Sequence, residues 1–204
     1  ILSVRRHDSD GADLRAHVDE MARDFGYQID YLDTPQLREL LHSKRYFQAL
    51  RNPNAFHIHP LNYLRGLATE IERLGGKIYE ASPVTEARLD GADKIIRTLD
   101  GEVRAARVII ATGGYTDALV PRLRRAMLPI ATYVMLSEAA PDLIATAIST
   151  RHAVGDNRRA GDYYRLVDGG RRILWGGRIT TRAASTEGLV RELRREMLTV
   201  YPQL

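Results

Sequence analysis

The 204-residue chain has no cysteine, a single tryptophan and three phenylalanines, and no two of its 16 glycines stand two positions apart. Without thiols it forms neither disulfides nor thiolate metal sites. Without a Gly-x-Gly triplet it lacks the Gly-x-Gly-x-x-Gly turn that seats a dinucleotide pyrophosphate at a helix N-terminus. No apolar run approaches the roughly 20 residues that cross a bilayer, so no membrane partner is expected. Ser-His-Asp arrangements, phosphate loops and paired-carboxylate motifs are also missing. His57 and His59 alternate with Phe56 and Ile58. Two histidines without a carboxylate or thiol at useful spacing make a poor metal site, and no metal is expected. The chain begins at Ile1 rather than Met and ends Pro202-Gln203-Leu204, which reads as an internal segment of a longer protein.

What is present is ordinary for a globular protein: 44% apolar and 27% charged residues, enough for one domain or two small ones. The net charge of +4 and pI near 9.5 raise the question of nucleic acid. The arginine clusters Arg122-Leu123-Arg124-Arg125 and Arg191-Glu192-Leu193-Arg194-Arg195 lack interleaved aromatics, and the second carries an acidic residue. A solvated arginine-rich surface is the simpler reading, and no nucleic-acid partner is expected. The cytoplasm is the default compartment.

Helical spacing of Leu14, Val18, Met21 and Phe25 predicts an amphipathic helix ending at Gly26. A second helix starts at Asp33-Thr34-Pro35, with Thr34 as N-cap and Leu37, Leu40 and Leu41 buried. Pro60 opens a third, with Leu61, Leu64, Leu67, Ala68, Ile71 and Leu74 as its buried stripe. Gly75-Gly76 closes it before a predicted strand at Lys77–Glu80. From Val84 to Arg107, short strands with turns at Asp90-Gly91 and Asp100-Gly101 predict a β-meander. Further strands are expected at Ile130–Leu136, Tyr163–Val167 and Arg172–Trp175, with a turn at Gly169-Gly170. A final helix turns Leu189, Leu193, Met197 and Val200 inward.

The densest signal is Arg107-Val108-Ile109-Ile110-Ala111-Thr112-Gly113-Gly114. A β-branched run ending in a small residue, a hydroxyl and two glycines reads as a strand buried on both faces. Its carboxyl end would let a ligand approach the backbone, as open α/β sheets do.

Four pieces in order carry a resemblance over nearly the whole chain: Ala55–Ala68, Gly75–Val84, Val108–Gly114, and Asp162–Leu166 with Leu174–Arg178. The sequence resembles the middle of FAD-dependent oxidoreductases of the D-amino-acid oxidase superfamily, in the glycine/sarcosine oxidase and gamma-glutamylputrescine oxidoreductase branch. The resemblance implies a mixed α+β and α/β architecture. A partial FAD-binding domain, Rossmann-like with a βαβ unit and a β-meander, would span residues 56–125. An antiparallel-sheet substrate domain would be assembled from 1–55 and 126–204. Oxidation of an amine or amino acid C–N bond by hydride transfer to FAD is the implied activity. A same-fold FAD dehydrogenase of D-amino or hydroxy acids and a non-catalytic binding module stand as alternatives. The segment alone is expected to be inactive and prone to self-association.

By that resemblance Val84 meets the adenine through its backbone, and Ala111, Thr112 and Gly113 form a second FAD-contacting segment. Tyr164 falls where a tyrosine contacts substrate, and Arg178 is placed to bind a substrate carboxylate. Each has a plainer alternative: an ordinary strand residue, a glycine turn, cross-strand packing for Tyr164, and a surface cation for Arg178. No side chain in this segment is assigned as a catalytic acid or base, because the flavin itself accepts the hydride. A cysteinyl-flavin bond within it is excluded.

Overall fold

The computed structural model describes residues 1–9, 11–180 and 185–204, with the side chains of Asp117, Arg178, Ile179 and Thr180 left aside. It divides into two units, one of residues Ile1–His57 and Ala131–Leu204, the other of Ile58–Ile130.

The first unit opens with β1 (Leu2–Val4), α1 (Ala12–Phe25), β2 (Asp30–Leu32), α2 (Thr34–Leu40) and β3 (Ala49–Arg51). The second holds α3 (Pro60–Arg73), β4 (Glu86–Arg88), β5 (Lys94–Arg97), β6 (Glu102–Ala105) and α4 (Pro121–Ala126). The chain then re-enters the first with β7 (Ala131–Leu136), α5 (Pro141–Ala145), β8 (Val154–Asp156), β9 (Tyr163–Val167), β10 (Arg172–Thr180) and α6 (Thr186–Val200).

A seven-stranded sheet of order β2-β3-β1-β8-β9-β10-β7 forms the first unit. Its pairs are antiparallel except β1 with β8, so the expected antiparallel sheet is mixed. The hairpin β9–β10 turns through Gly169 and Gly170, at φ 66° and 96°, a backbone region that only glycine occupies cheaply. Pleating alternates side chains between faces. One face carries Leu2, Val4, Val154, Tyr164, Ile173 and Trp175, all buried together with Leu37 and Leu41 near α2, Ile144 of α5, and Leu193, Met197 and Val200 of α6. Full burial of each such aliphatic side chain stabilises the fold by about 1.5–3 kcal/mol. On the other face Val134, Leu136 and Tyr163 are 54%, 56% and 42% exposed.

α2 is capped by Asp33, not Thr34. The Asp33 carboxylate accepts from the Gln36 amide N–H at 2.9 Å, and the Gln36 side chain accepts from the Asp33 N–H at 3.1 Å. This reciprocal box satisfies two helix-end donors at once, which Thr34 in its place could not do. The first helix ends at Gly26 in the left-handed region, as its glycine predicts.

In the second unit the meander β4-β5-β6 is antiparallel, with its turns at the two Asp-Gly pairs. Two expectations fail there. Lys77–Glu80 and Val108–Ala111 form no strands, and Leu61, Leu64, Leu67, Ile71 and Leu74 are 42–71% exposed. Both failures share a cause. A doubly buried parallel strand needs hydrogen-bonding neighbours and a covering layer. Among the described residues nothing pairs with either segment, and α3 makes no extensive contact with another element.

Candidate functional site

The glycine turn after the β-branched run is folded tightly and lies at the surface. Gly113 takes φ 54°, and Gly113–Tyr115 makes one 3-10 turn closed by the Tyr115 N–H on the Thr112 carbonyl at 3.0 Å. The Thr112 and Thr116 hydroxyls meet at 2.7 Å, and Thr116 Oγ1 donates to the Gly113 carbonyl at 2.8 Å. These bonds hold the turn while Ala111, Thr112, Gly113 and Gly114 stay exposed. The turn opens onto a cavity of about 510 Å³ lined by Gly114, Tyr115, Thr116, Arg124, Met127 and Pro129. Its character is half apolar with one guanidinium, a setting suited to a large ligand carrying negative charge. Val84 lies in the same unit, 38% exposed, two residues before β4. Its neighbour Thr85 joins the sheet through a 2.8 Å bond to the Arg97 carbonyl.

The sequence leaves Tyr164 between substrate contact and cross-strand packing. It lies on the covered face at 2% exposure, its ring stacked on Trp175 and edge-on to Tyr201. Its hydroxyl meets that of Tyr201 at 2.6 Å. Burial pushes the phenols of Tyr46, Tyr164 and Tyr201 above their ordinary range. This placement is the cross-strand packing alternative: a ligand reaching Tyr164 would have to part α6 from the sheet. Tyr163 faces the open side instead. The side chain of Arg178 lies outside the described residues; its backbone belongs to β10.

Below the aromatic cluster sits an ion-pair network that the sequence reading missed. Arg6 contacts Asp156 at 3.3 Å and Asp162 at 3.2 Å. Arg158 contacts Asp156 at 2.9 Å, Asp162 at 2.5 Å and Glu196 at 3.4 Å. Both aspartate side chains are buried. Burial pushes Asp156 up, but hydrogen bonds from Arg158 outweigh it and hold the carboxyl below its usual range. Asp162 is held above its usual range by burial and by Asp156, against Arg158. The network joins the segment after β1, the β8–β9 connection and α6, and its signal in the sequence was faint: Asp156-Asn-Arg158 and Gly161-Asp162 close together.

Adjacent glycines in β10 serve opposite faces. A side chain on Gly176 would strike the Tyr163 ring, which lies across it on the open face. A side chain on Gly177 would come within 2.8 Å of the Asp162 carboxylate on the covered face. His59 caps α3, accepting from the Asn62 N–H at 3.3 Å, as its position before Pro60 suggests. His57 accepts from Arg165 at Nδ1 (2.9 Å) and so donates from Nε2 to the Arg151 carbonyl (3.3 Å). Among the described residues no group of three or more His, Asp or Glu could hold a metal ion, and no helix is long and apolar enough to cross a membrane.

Comparison with known proteins gives this geometry a context. The chain is 33% identical over 205 residues to gamma-glutamylputrescine oxidoreductase of Escherichia coli (strain K12), covering 100% of this chain and 48% of that protein. It is 33% identical over 209 residues to the probable oxidoreductase OrdL of Haemophilus influenzae, covering 46% of it. Thus the chain spans about half the length of the curated relatives it matches. Among solved structures, glycine oxidase from Geobacillus kaustophilus superposes with a TM-score of 0.73 at 20% identity, covering 98% of this chain and 53% of that one. L-Proline dehydrogenase from P. horikoshii does so with 0.75 at 15% identity, covering 98% and 55%. The family described as FAD dependent oxidoreductase matches residues 1–204, and the chain belongs to that family.

Proposed function

We propose that the chain is part of a flavoenzyme that oxidises the C–N bond of an amine or amino acid, and that its two units divide the work. In this reading residues 58–130 contribute to the FAD site and the seven-stranded sheet faces substrate. The observation that carries it is the exposed Ala111-Thr112-Gly113-Gly114 turn, held by the Thr112–Thr116 hydroxyl pair beside a cavity containing Arg124. A turn without side chains lets a cofactor lie against the backbone, and Arg124 supplies positive charge for an anionic ligand. Val84 adds an exposed position beside the β-meander, proposed to meet an aromatic base. These residues fit a dinucleotide, and Val84, Ala111, Thr112 and Gly113 are the ones proposed to hold it. Bound there, FAD supplies the hydride acceptor. On the substrate side, Arg178 in β10 is proposed to take a carboxylate.

The test is to express the full-length protein and record its absorption spectrum. A panel of amines, amino acids and hydroxy acids is then assayed with peroxide and dye-reduction readouts. A flavin spectrum with turnover of an amine or amino acid supports the reading. Turnover of hydroxy acids alone would move the protein to the dehydrogenase alternative. A colourless, inert protein would make it a binding module.

A further inference from the structure

The outward side of α6 gathers positive charge that the fold does not consume. Arg191, Arg194, Arg195 and Leu198 follow one another at i, i+3, i+4 and i+7, so they share one helix face. Leu193, Met197 and Val200 on the other side are buried in the core. The three arginines are exposed, and with Leu198 and Thr199 they line an open cavity of about 350 Å³. No carboxylate is among the described residues that line it. Arg195 reaches Glu192 only at 3.7 Å, and Arg191 and Arg194 meet no acidic side chain among the described residues. Arg158, by contrast, is taken up by Asp156, Asp162 and Glu196. Thr199 donates its proton to the Arg195 carbonyl at 2.8 Å, so the guanidiniums supply the cavity's side-chain donors.

Helix electrostatics do not account for this cluster. A cation gains from the helix dipole chiefly in the last turn, and none of the three stands there. Like charges three and four residues apart destabilise a helix, and a bound anion reverses that effect. We propose that this face of α6 binds a small phosphorylated molecule, a phosphate monoester or a diphosphate, held by Arg191, Arg194 and Arg195 over Leu198. A guanidinium meets phosphate oxygens in pairs through its planar fork. Forks from adjacent turns match the several oxygens and multiple charge of a phosphate better than the single charge of a carboxylate. Leu198 gives the organic part an apolar footing, and the volume suits a small ligand. None of these residues is among those proposed to hold FAD or substrate, so the site stands apart from the flavin reading.

The experiment uses the full-length protein, loaded with FAD and freed of excess, so that the cofactor site is filled. Wild type is compared with Arg191→Gln/Arg194→Gln and with Arg23→Gln, which removes an exposed arginine from α1. Sodium phosphate and sodium pyrophosphate are titrated by calorimetry at constant ionic strength in KCl, and thermal unfolding is followed in the same buffers. Pyrophosphate should bind wild type saturably, one per chain, and raise its unfolding temperature. The double variant should bind about tenfold more weakly or worse, since two charge-assisted contacts are lost. In chloride alone it should unfold no lower than wild type, because like-charge contacts are removed. Arg23→Gln should bind as wild type does. Heats that do not saturate, or equal weakening in Arg23→Gln, would reduce the effect to screening of net charge and overturn the proposal. A double variant that unfolds well below wild type in chloride would make the arginines part of the packing and overturn it too. A short single-stranded oligonucleotide and phosphatidylglycerol vesicles are tested alongside. Capture of either by wild type and not by the double variant, without pyrophosphate binding, would assign the face to a nucleic acid or a membrane and overturn the small-molecule site.

Discussion

The rings of Tyr164 and Trp175 lie parallel at 4.3 Å, with 6° between their planes, as direct partners across β9 and β10. Tyr201, one residue beyond α6, meets both edge-on at 5.8 and 6.3 Å. These contacts fix α6 against the sheet, and the hydroxyl pair Tyr164–Tyr201 orients the helix end. Trp175→Ala should therefore cost about 3–5 kcal/mol through the cavity it leaves. Tyr164→Phe should cost about 1–3 kcal/mol by leaving the Tyr201 hydroxyl buried without its partner. Urea unfolding checks both, by circular dichroism for Trp175→Ala. For Tyr164→Phe the chain's sole tryptophan reports directly from the cluster. A midpoint unchanged in Tyr164→Phe would show that the hydroxyl pair contributes nothing.

The helix entry at Asp33 gives a smaller effect that separates two neighbouring candidates. Asp33→Ala removes the acceptor for the Gln36 N–H and should cost about 0.5–2 kcal/mol. Thr34→Ala, one residue into the helix, should change stability by a few tenths at most. The reverse order in thermal unfolding would return the cap to Thr34.

That pair illustrates what the sequence made legible. Punctuation by glycine, proline and Asp-Gly was read correctly, because each acts through its own backbone: Gly26 ends α1, Pro60 opens α3, and Gly169-Gly170 turns β9 into β10. The three-residue strands β1, β2, β3 and β8 were not read. They owe their existence to partners far along the chain, as Leu2 does to Val154, and too few residues alternate to leave a pattern. Tyr163 and Tyr164 were equally unreadable as a pair. Adjacent strand residues point oppositely, and only the position of Trp175 and α6 decides which face is covered. The apolar run Val108–Ile110 was legible as something to be buried, but burial depends on what covers it.

The carboxylates of Asp156 and Asp162 respond to pH in opposite senses. Asp162, held above its ordinary pKa, takes up a proton in the folded state first, so its contribution grows as pH falls from 7 toward about 4. Asp156, held below, contributes stability above about 3.9 that is lost as pH falls through its lower folded value. Asp162→Asn should therefore remove the gain toward mild acid while leaving the loss at stronger acid. Unfolding free energies at intervals between pH 3 and 7 compare the two proteins. Parallel curves over pH 4–7 would show that Asp162 is not held up by its surroundings.

Arg158 gathers Asp156, Asp162 and Glu196. Arg158→Leu should destabilise the fold by about 3–5 kcal/mol, since it leaves buried carboxylates facing each other with Arg6 as their remaining cation. Part of that loss should be recovered in Arg158→Leu/Asp162→Asn, where the repulsion is removed. A double variant no more stable than the single one would show the arginine to be a solvated surface group.

Addition of FAD to the 204-residue chain tests where the affinity for cofactor resides. The exposed turn Ala111–Gly114, Val84 and Arg124 offer backbone and one cation, but no Gly-x-Gly turn exists in the chain to receive the pyrophosphate. Those contacts must offset the cost of ordering a long flexible ligand, and half a site does so poorly. The exposed face of α3, with Leu61, Leu64, Leu67 and Ile71 in solvent, offers instead a surface for self-association. Calorimetry on the isolated chain should show no stoichiometric binding at micromolar FAD, and sedimentation should show oligomers that Leu64→Lys with Leu67→Lys disperses. Because neither leucine is buried, that double change should leave the unfolding midpoint unmoved at dilutions where both forms are monomeric. Tight, stoichiometric FAD binding would place the pyrophosphate on residues of this chain, with Arg124 and the Thr112–Gly114 turn as the first to substitute.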